Sequence, residues 1–266
     1  MAHPARLTGL SGSLVLVRHG ETTWITEGRF QGRSDPPLSP LGERQAAAVT
    51  RRLVAPSAAP ALPLPAAAPL GGWHSPLRRA AVVATGIAAG HDVPLAPLPD
   101  LLELDQGAWE GLTNAEVLAR YGPELTAWRR DPVANHAPGG ESLAIAGARA
   151  GRAADVLLGA LRVAVDAVTP PGTMRPSTSH VLGYGTPGSD GEPWPWLVVV
   201  AHDGLLRLLL LDLLGLPHSA FWSFPFALCG VTIVEVRSAV LRLRAHNLAD
   251  HLDGLTAGTP TAAHPR

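Results

Sequence analysis

Four consecutive aliphatic positions, Leu14 to Val17, run directly into Arg18, His19 and Gly20, which reads as a buried strand whose carboxyl end opens into a loop. Ser39, Pro40 and Glu43 then supply an N-cap, a first-turn proline and a first-turn acid for a helix through about Leu53. Residues 55–72 hold five prolines and no charge, and the missing N–H donors predict an irregular surface insertion. A helix follows from Leu77 to Ala89, an extended segment near Val93 to Leu98, and helical pieces around Ala115 to Tyr121 and Glu124 to Arg129. Apolar residues at three- and four-residue spacing, from Val156 and Leu157 to Val165 and Val168, predict the longest helix over 141–168. A second Pro- and Gly-rich insertion at 169–195 leads into Leu197 to Val200, the clearest buried strand, and a helix from Gly204 to Leu214 leaves its carboxyl end. Val231 to Val236 and Val240 to Arg244 predict a terminal strand pair.

Strands alternating with helices imply an α/β fold, three layers α/β/α around a mostly parallel sheet. The expected organisation is a short lead at 1–12, one domain over 13–250 carrying both insertions, and a flexible tail at 251–266. In such folds sites lie beyond the carboxyl ends of strands, where His19 and His202 both fall.

Composition narrows the chemistry. All 21 basic residues are arginine, and the absence of lysine removes P-loop, pyridoxal-phosphate and Ser-Lys chemistry together. The single Cys229 excludes an internal disulfide, a CxxC pair and cysteine-rich metal sites, and is expected to pack in a strand. A formal net charge of -1 with no arginine cluster beyond pairs argues against nucleic acid as a partner. Arg207 and Asp212 interrupt the most apolar stretch, so no membrane span is expected, and Leu14 to Val17 is too short for a secretory core; a cytoplasmic chain is the expectation. GYGTPG at Gly183 to Gly188 satisfies GxGxxG formally, but a proline lies inside it and no strand precedes it. There is no GxSxG elbow, and His246, Asp250 and His251 read as solvated polar residues rather than as a metal site.

What remains is arginine and histidine. Guanidinium forks match phosphate oxygens bidentately, and a neutral imidazole can attack phosphorus. Arg18, His19, Arg79 and His202 could therefore bind a phosphoryl group and accept it on histidine, with Glu103 protonating the leaving alkoxide.

The segments carrying these residues, LVLVRHGETTW with the following LSPLG, SPLRRAAVVATGIA, LLELDQGAWEGLT and VVVAHDG, resemble in order and spacing the signatures of the histidine phosphatase superfamily, phosphoglycerate-mutase-like, branch 1. The resemblance spans nearly all of 13–245 and implies that fold, with His19 as the nucleophile, Arg18, Arg79 and His202 gripping phosphoryl oxygens, Glu103 as the acid, and no metal or cofactor. Two departures stand out. Ile25 follows Trp24 where many members have asparagine on the phosphate, which turns attention to Thr22 as a replacement contact, and Asp203 follows His202 where glycine is usual, which makes Asp203 the second candidate acid. Gln31 and Gly32 occupy a substrate-contacting place where mutases carry Thr-Gly, and PGGESL at Pro138 to Leu143 is similar to the phosphatase form; Arg129 and Arg130 match a mutase segment. The implied activity is hydrolysis of a small phosphomonoester metabolite. A phosphoglycerate mutase and a non-catalytic phospho-ligand module are the alternatives, and a homodimer is the one further partner allowed for.

Overall fold

A computed structural model describes residues 4–168, 195–237 and 239–255. The second insertion, apart from Pro195, and the GYGTPG segment lie outside the described residues, as does the tail from 256. Among the described residues six strands form one sheet: β1 (Gly12–Arg18), β2 (Gly72–His74), β3 (Leu95–Pro97), β4 (Trp196–Ala201), β5 (Val231–Arg237) and β6 (Val240–Leu248), in the order β3-β2-β4-β1-β5-β6. The first four in that order run parallel, β5 is antiparallel to β1, and β6 is antiparallel to β5. The expected mixed α/β architecture with a mostly parallel sheet is what the chain adopts.

Among the described residues seven helices surround the sheet: α1 (Pro4–Leu7), α2 (Thr23–Thr26), α3 (Pro40–Val54), α4 (Arg78–His91), α5 (Asn114–Arg130), α6 (Leu143–Val168) and α7 (Asp203–Leu214). The two-residue period of the strands divides the core between the faces. Leu14, Leu16, Leu197, Val199 and Ala201 pack with α6 and α7, whereas Val15, Val17, Val198 and Val200 pack with α3 and α4. Both faces are covered, which is why β1 and β4 read as continuous apolar runs. Among the described residues no helix is long and apolar enough to cross a membrane.

Local chemistry sets the helix ends. Ser39 Oγ accepts the Gly42 N–H at 3.0 Å with Pro40 in the first turn, so α3 begins where its capping residues place it. Thr113 and Glu116 form a reciprocal capping box on α5. Tyr121 leaves helical geometry two residues before Pro123, so α5 consists of two helical pieces meeting at a kink, where the two pieces were expected. Beside it Trp109, Val117, Leu125 and Ala137 form a small separate core with Phe30 and Trp128.

Two expectations are corrected. The 55–72 segment is irregular but not merely superficial: Leu62 and Leu64 are buried against the α3/α4 side, and Ala67 C=O accepts from Trp196 Nε1 at 2.7 Å. Apolar side chains between the prolines are what anchor it. Cys229 lies in the turn before β5, not in a strand, with φ +53°, and burial pushes its thiol up to about 12. The packed chain also continues past 250, because Leu252 is buried in the α3/α4 core.

Candidate active site

Strand register brings the sequence-distant residues together. Arg18 pairs with Ala201 across β1 and β4, and the His19 N–H donates to Ala201 C=O at 3.1 Å, so His19 and His202 emerge side by side. Their rings stand 5.1 Å apart. β2 lies on the other side of β4, and the Ser75 N–H donates to Val200 C=O at 2.9 Å, which delivers Ser75 to His202 and places Arg79 in the first turn of α4. From the antiparallel side, the turn before β5 sends the Cys229 N–H to the carbonyls of Arg18 and His19.

His19 is buried, with Nδ1 2.7 Å from its neighbour's carbonyl, Gly20 C=O. A carbonyl can only accept, so Nδ1 carries the hydrogen and Nε2 keeps the lone pair. Burial, then the charges of Arg79 and Arg18, hold its pKa well below the ordinary 6.5, against a smaller upward pull from Gly20. The imidazole is thereby held in its neutral form. Burial, followed by Arg79, also keeps His202 neutral, and its Nε2 lies 2.7 Å from Ser75 Oγ.

Arg79 is almost fully buried and donates to Ser34 C=O at 2.6 Å and Gly32 C=O at 2.8 Å. Its acidic neighbour Asp35 lies 3.7 Å away. Arg18 donates from Nη1 to Phe226 C=O at 2.6 Å. The buried Nε of each arginine, together with His202 Nδ1, has no protein partner. Buried donors are rarely left so, and the oxygens of a phosphoryl group are acceptors that could satisfy them.

The two candidate acids separate clearly. Glu103 accepts N–H groups from Leu104 at 2.9 Å, Leu205 at 3.1 Å and Gly204 at 3.2 Å, which ties its carboxyl to the start of α7, next to His202. Burial raises its pKa above the ordinary value and the charge of Asp203 adds to this, outweighing those N–H groups and Arg79. Burial also pushes Asp203 up, but Arg18, Arg207 and the Phe226 N–H more than reverse it. Asp203 is an ion-paired carboxylate, bonded through both oxygens to Arg207 at 3.0 and 3.1 Å, and Glu103 is the group disposed to hold a proton.

Thr22 caps α2, accepting from the Ile25 N–H, and donates its hydroxyl to Gln31 Oε1 at 2.7 Å. Its hydrogen is thus spent on orienting Gln31, whose amide NH2 is the donor of that pair left for a ligand. Gly32 takes φ +51° and contributes the carbonyl that holds Arg79. Glu110 accepts the N–H groups of Arg33 at 2.7 Å and Ser34 at 2.9 Å, so it pins the same loop. Trp109 is fully buried, Arg78 is exposed, and Arg129 and Arg130 lie exposed at the end of α5. Among the described residues no group of three or more His, Cys, Asp or Glu side chains could hold a metal ion.

Several participants were not singled out from the sequence. Ser75 seats His202, and a hydroxyl within SPLRRA gives no sign of which way it faces. Arg149, inside α6, is buried against Glu141 at 2.6 Å and also donates to the carbonyls of Leu102 and Glu103, fixing the segment that carries the acid. Arg33 reaches Glu141 from the Arg79-holding loop at 3.3 Å. A helix-interior arginine and a post-loop glutamate carry no motif that would connect them.

The chain is similar in sequence and fold to known proteins. The sequence model of the histidine phosphatase superfamily (branch 1) matches residues 14–192 and 186–249. Phosphoserine phosphatase 1 of Hydrogenobacter thermophilus is 27% identical over 242 residues, covering 90% of this chain and 93% of that protein. A probable phosphoglycerate mutase of Cronobacter sakazakii is 36% identical over 231 residues, covering 84% and 85%. The solved structure of a mycobacterial glucosyl-3-phosphoglycerate phosphatase complexed with VO3 superposes with a TM-score of 0.69 at 28% identity, over 90% of this chain and 100% of that one. With two strand-end histidines beside Arg18 and the buried Arg79, and a family match over most of its length, the chain belongs to the histidine phosphatase superfamily, branch 1, and is a histidine phosphatase.

Proposed function

We propose that this phosphatase hydrolyses a small phosphorylated metabolite through a phosphohistidine on His19. The observation that carries the reading is the state of His19: neutral, with Nδ1–H on Gly20 C=O and the Nε2 lone pair free, beside Arg18 and Arg79. Nε2 attacks phosphorus and the bond to the leaving oxygen breaks, that oxygen taking the proton of Glu103. The resulting Glu103 carboxylate then removes a proton from water, whose oxygen attacks phosphorus and breaks the N–P bond, returning His19 and protonated Glu103. Arg18, Arg79 and His202 stabilise charge on the non-bridging oxygens throughout, which is most of what phosphoryl transfer asks of a protein. Asp203 serves this site as a carboxylate held by Arg207 rather than as a proton donor. The phosphatase names of the phosphoserine and glucosyl-3-phosphoglycerate relatives support hydrolysis over transfer.

The test is a panel of phosphomonoesters with metal-free protein, combined with trapping of acid-labile label on the enzyme. His19→Ala is expected to abolish both turnover and label. A labelled or active variant refutes the assignment, and label transferred to phosphoglycerate in preference to water identifies a mutase instead.

A further inference from the structure

The aim of Arg18 depends on a loop distant in sequence. Its Nη1 donates to Phe226 C=O at 2.6 Å. The other half of that peptide group is the Ala227 N–H, which donates to Asn247 Oδ1 at 2.6 Å. Asn247 lies in β6, where Val231 pairs with Leu248 but Ile233 pairs with Ala245, so the ladder holds one extra residue on the β6 side. Asn247 takes φ +56°, a left-handed conformation that asparagine tolerates better than most residues, and its N–H is tied to Thr232 Oγ1 at 3.0 Å. The irregularity turns a strand residue toward the 226–227 peptide. The preceding peptide is held from the other side, because the Phe226 N–H donates to Asp203 Oδ1 at 3.2 Å. Asp203 in turn is fixed by Arg207, whose guanidinium lies over the rings of Phe221 and Trp222 at 5.6 and 5.3 Å.

We propose that Asn247 is a positioning residue for catalysis: through the Phe226–Ala227 peptide it sets the direction of the Arg18 guanidinium, with Asp203 fixing the preceding peptide. The proposal rests on the reading of Arg18 as a phosphoryl-binding group. Its physical need is plain. Half-buried Arg18 stands near the buried cation Arg79, and repulsion would swing it away unless a strong acceptor held one end of the fork. A carbonyl whose own peptide N–H is hydrogen-bonded is polarised and is the better acceptor. Held there by Nη1, Arg18 keeps its unpartnered Nε and the remaining edge for the phosphate.

Asn247→Gly retains the left-handed backbone and the N–H to Thr232 while removing only the acceptor; Asn247→Asp restores an acceptor. In Asn247→Gly, kcat/KM is expected to fall about ten- to a hundredfold, the scale on which small misplacements of a catalytic group act. The loss should be equal for alkyl and aryl phosphates, and competitive inhibition by orthophosphate should weaken in step. Asn247→Asp should return most of it. Orthophosphate inhibition and kcat/KM within about twofold of the parent in Asn247→Gly, or an Asn247→Asp as impaired as the glycine variant, overturn the proposal. A crystal structure of Asn247→Gly decides independently of turnover: Arg18 displaced from Phe226 C=O supports the clamp, and Arg18 unmoved refutes it. If the parent protein neither binds orthophosphate nor hydrolyses any phosphomonoester, the phosphatase mechanism falls, and that crystal structure alone then judges the positioning role.

Discussion

Replacing Glu103 by glutamine removes the transferable proton and, with it, one acceptor, that of the Gly204 N–H. The amide oxygen can keep the Leu104 and Leu205 N–H groups, which now converge on Oε1, while the NH2 replaces the oxygen that accepts from Gly204 at 3.2 Å. The segment remains anchored through its backbone, since Arg149 donates to the carbonyls of Leu102 and Glu103 and the Leu104 side chain is buried in the core. What is lost is acid catalysis of departure, an effect of about a hundred- to ten-thousandfold. At about 1.4 kcal/mol per factor of ten, that is about 3 to 5 kcal/mol of transition-state stabilisation. An alkoxide leaving group needs all of it, whereas an acidic phenol departs as its anion and needs little. In kcat/KM, which covers only the steps through phosphohistidine formation, Glu103→Gln should therefore lose at least about a hundredfold on alkyl phosphates and less than about tenfold on activated aryl phosphates. Dephosphorylation is common to all substrates and also uses Glu103, as base, so stopped-flow mixing with an activated aryl phosphate should show a burst of phenol followed by slow turnover. Asp203→Asn should show no split. Equal losses on both substrate classes in Glu103→Gln, or a split in Asp203→Asn, would refute the assignment of the acid.

Two further outcomes follow from the same geometry. Activity should survive exhaustive dialysis against chelator, because two guanidinium groups already supply the positive field that a divalent ion supplies elsewhere; a rate that collapses and returns only with a divalent ion contradicts this. Folding stability should fall on mild acidification: His19 and His202 have folded pKa values well below 6.5, so the unfolded chain binds more protons, and their contribution is fully present above about pH 6.5 and is lost as pH falls toward the folded values. Denaturation midpoints between pH 8 and 5 measure it, and a doubly substituted His19→Gln, His202→Gln protein that loses as much stability as the parent over that range would refute the attribution.

How far the sequence reveals this molecule depends on the range of the interactions involved. β1 and β4 are legible because both faces of the sheet are covered, which demands uninterrupted aliphatic runs, and α3 is legible because Ser39 and Pro40 solve a local problem at its first turn. The kink in α5 is legible at Pro123 for the same reason. Leu62 and Leu64 are not, because proline spacing reports the absence of regular structure and says nothing about whether the side chains between find a core. Cys229 is misplaced in the sequence reading on similar grounds: an apolar residue just ahead of the β-branched run from Val231 looks like strand, whereas the chain turns there and the one Cys229 N–H reaches the carbonyls of Arg18 and His19.

The site divides along the same line. His19 and His202 stand out in the sequence as polar residues ending apolar runs, and the register between β1 and β4 then makes them neighbours without further instruction. Arg79 is one helical turn from a strand end and follows for that reason. Asn247 sits about 230 residues from Arg18, in an edge strand whose pattern reads only as alternating polar and apolar, and its role exists solely because one extra residue in β6 reverses which side chain faces the 226–227 peptide. A bulge leaves no mark in composition or periodicity. Asp203 shows the converse: its position beside His202 is visible, but its chemistry is set by Arg207 one turn along α7 and by an N–H from Phe226, and these turn an apparent acid into a fixed carboxylate. The proposed phosphate-binding groups are thus presented by local sequence, whereas the groups that hydrogen-bond them or set their protonation are chosen by packing.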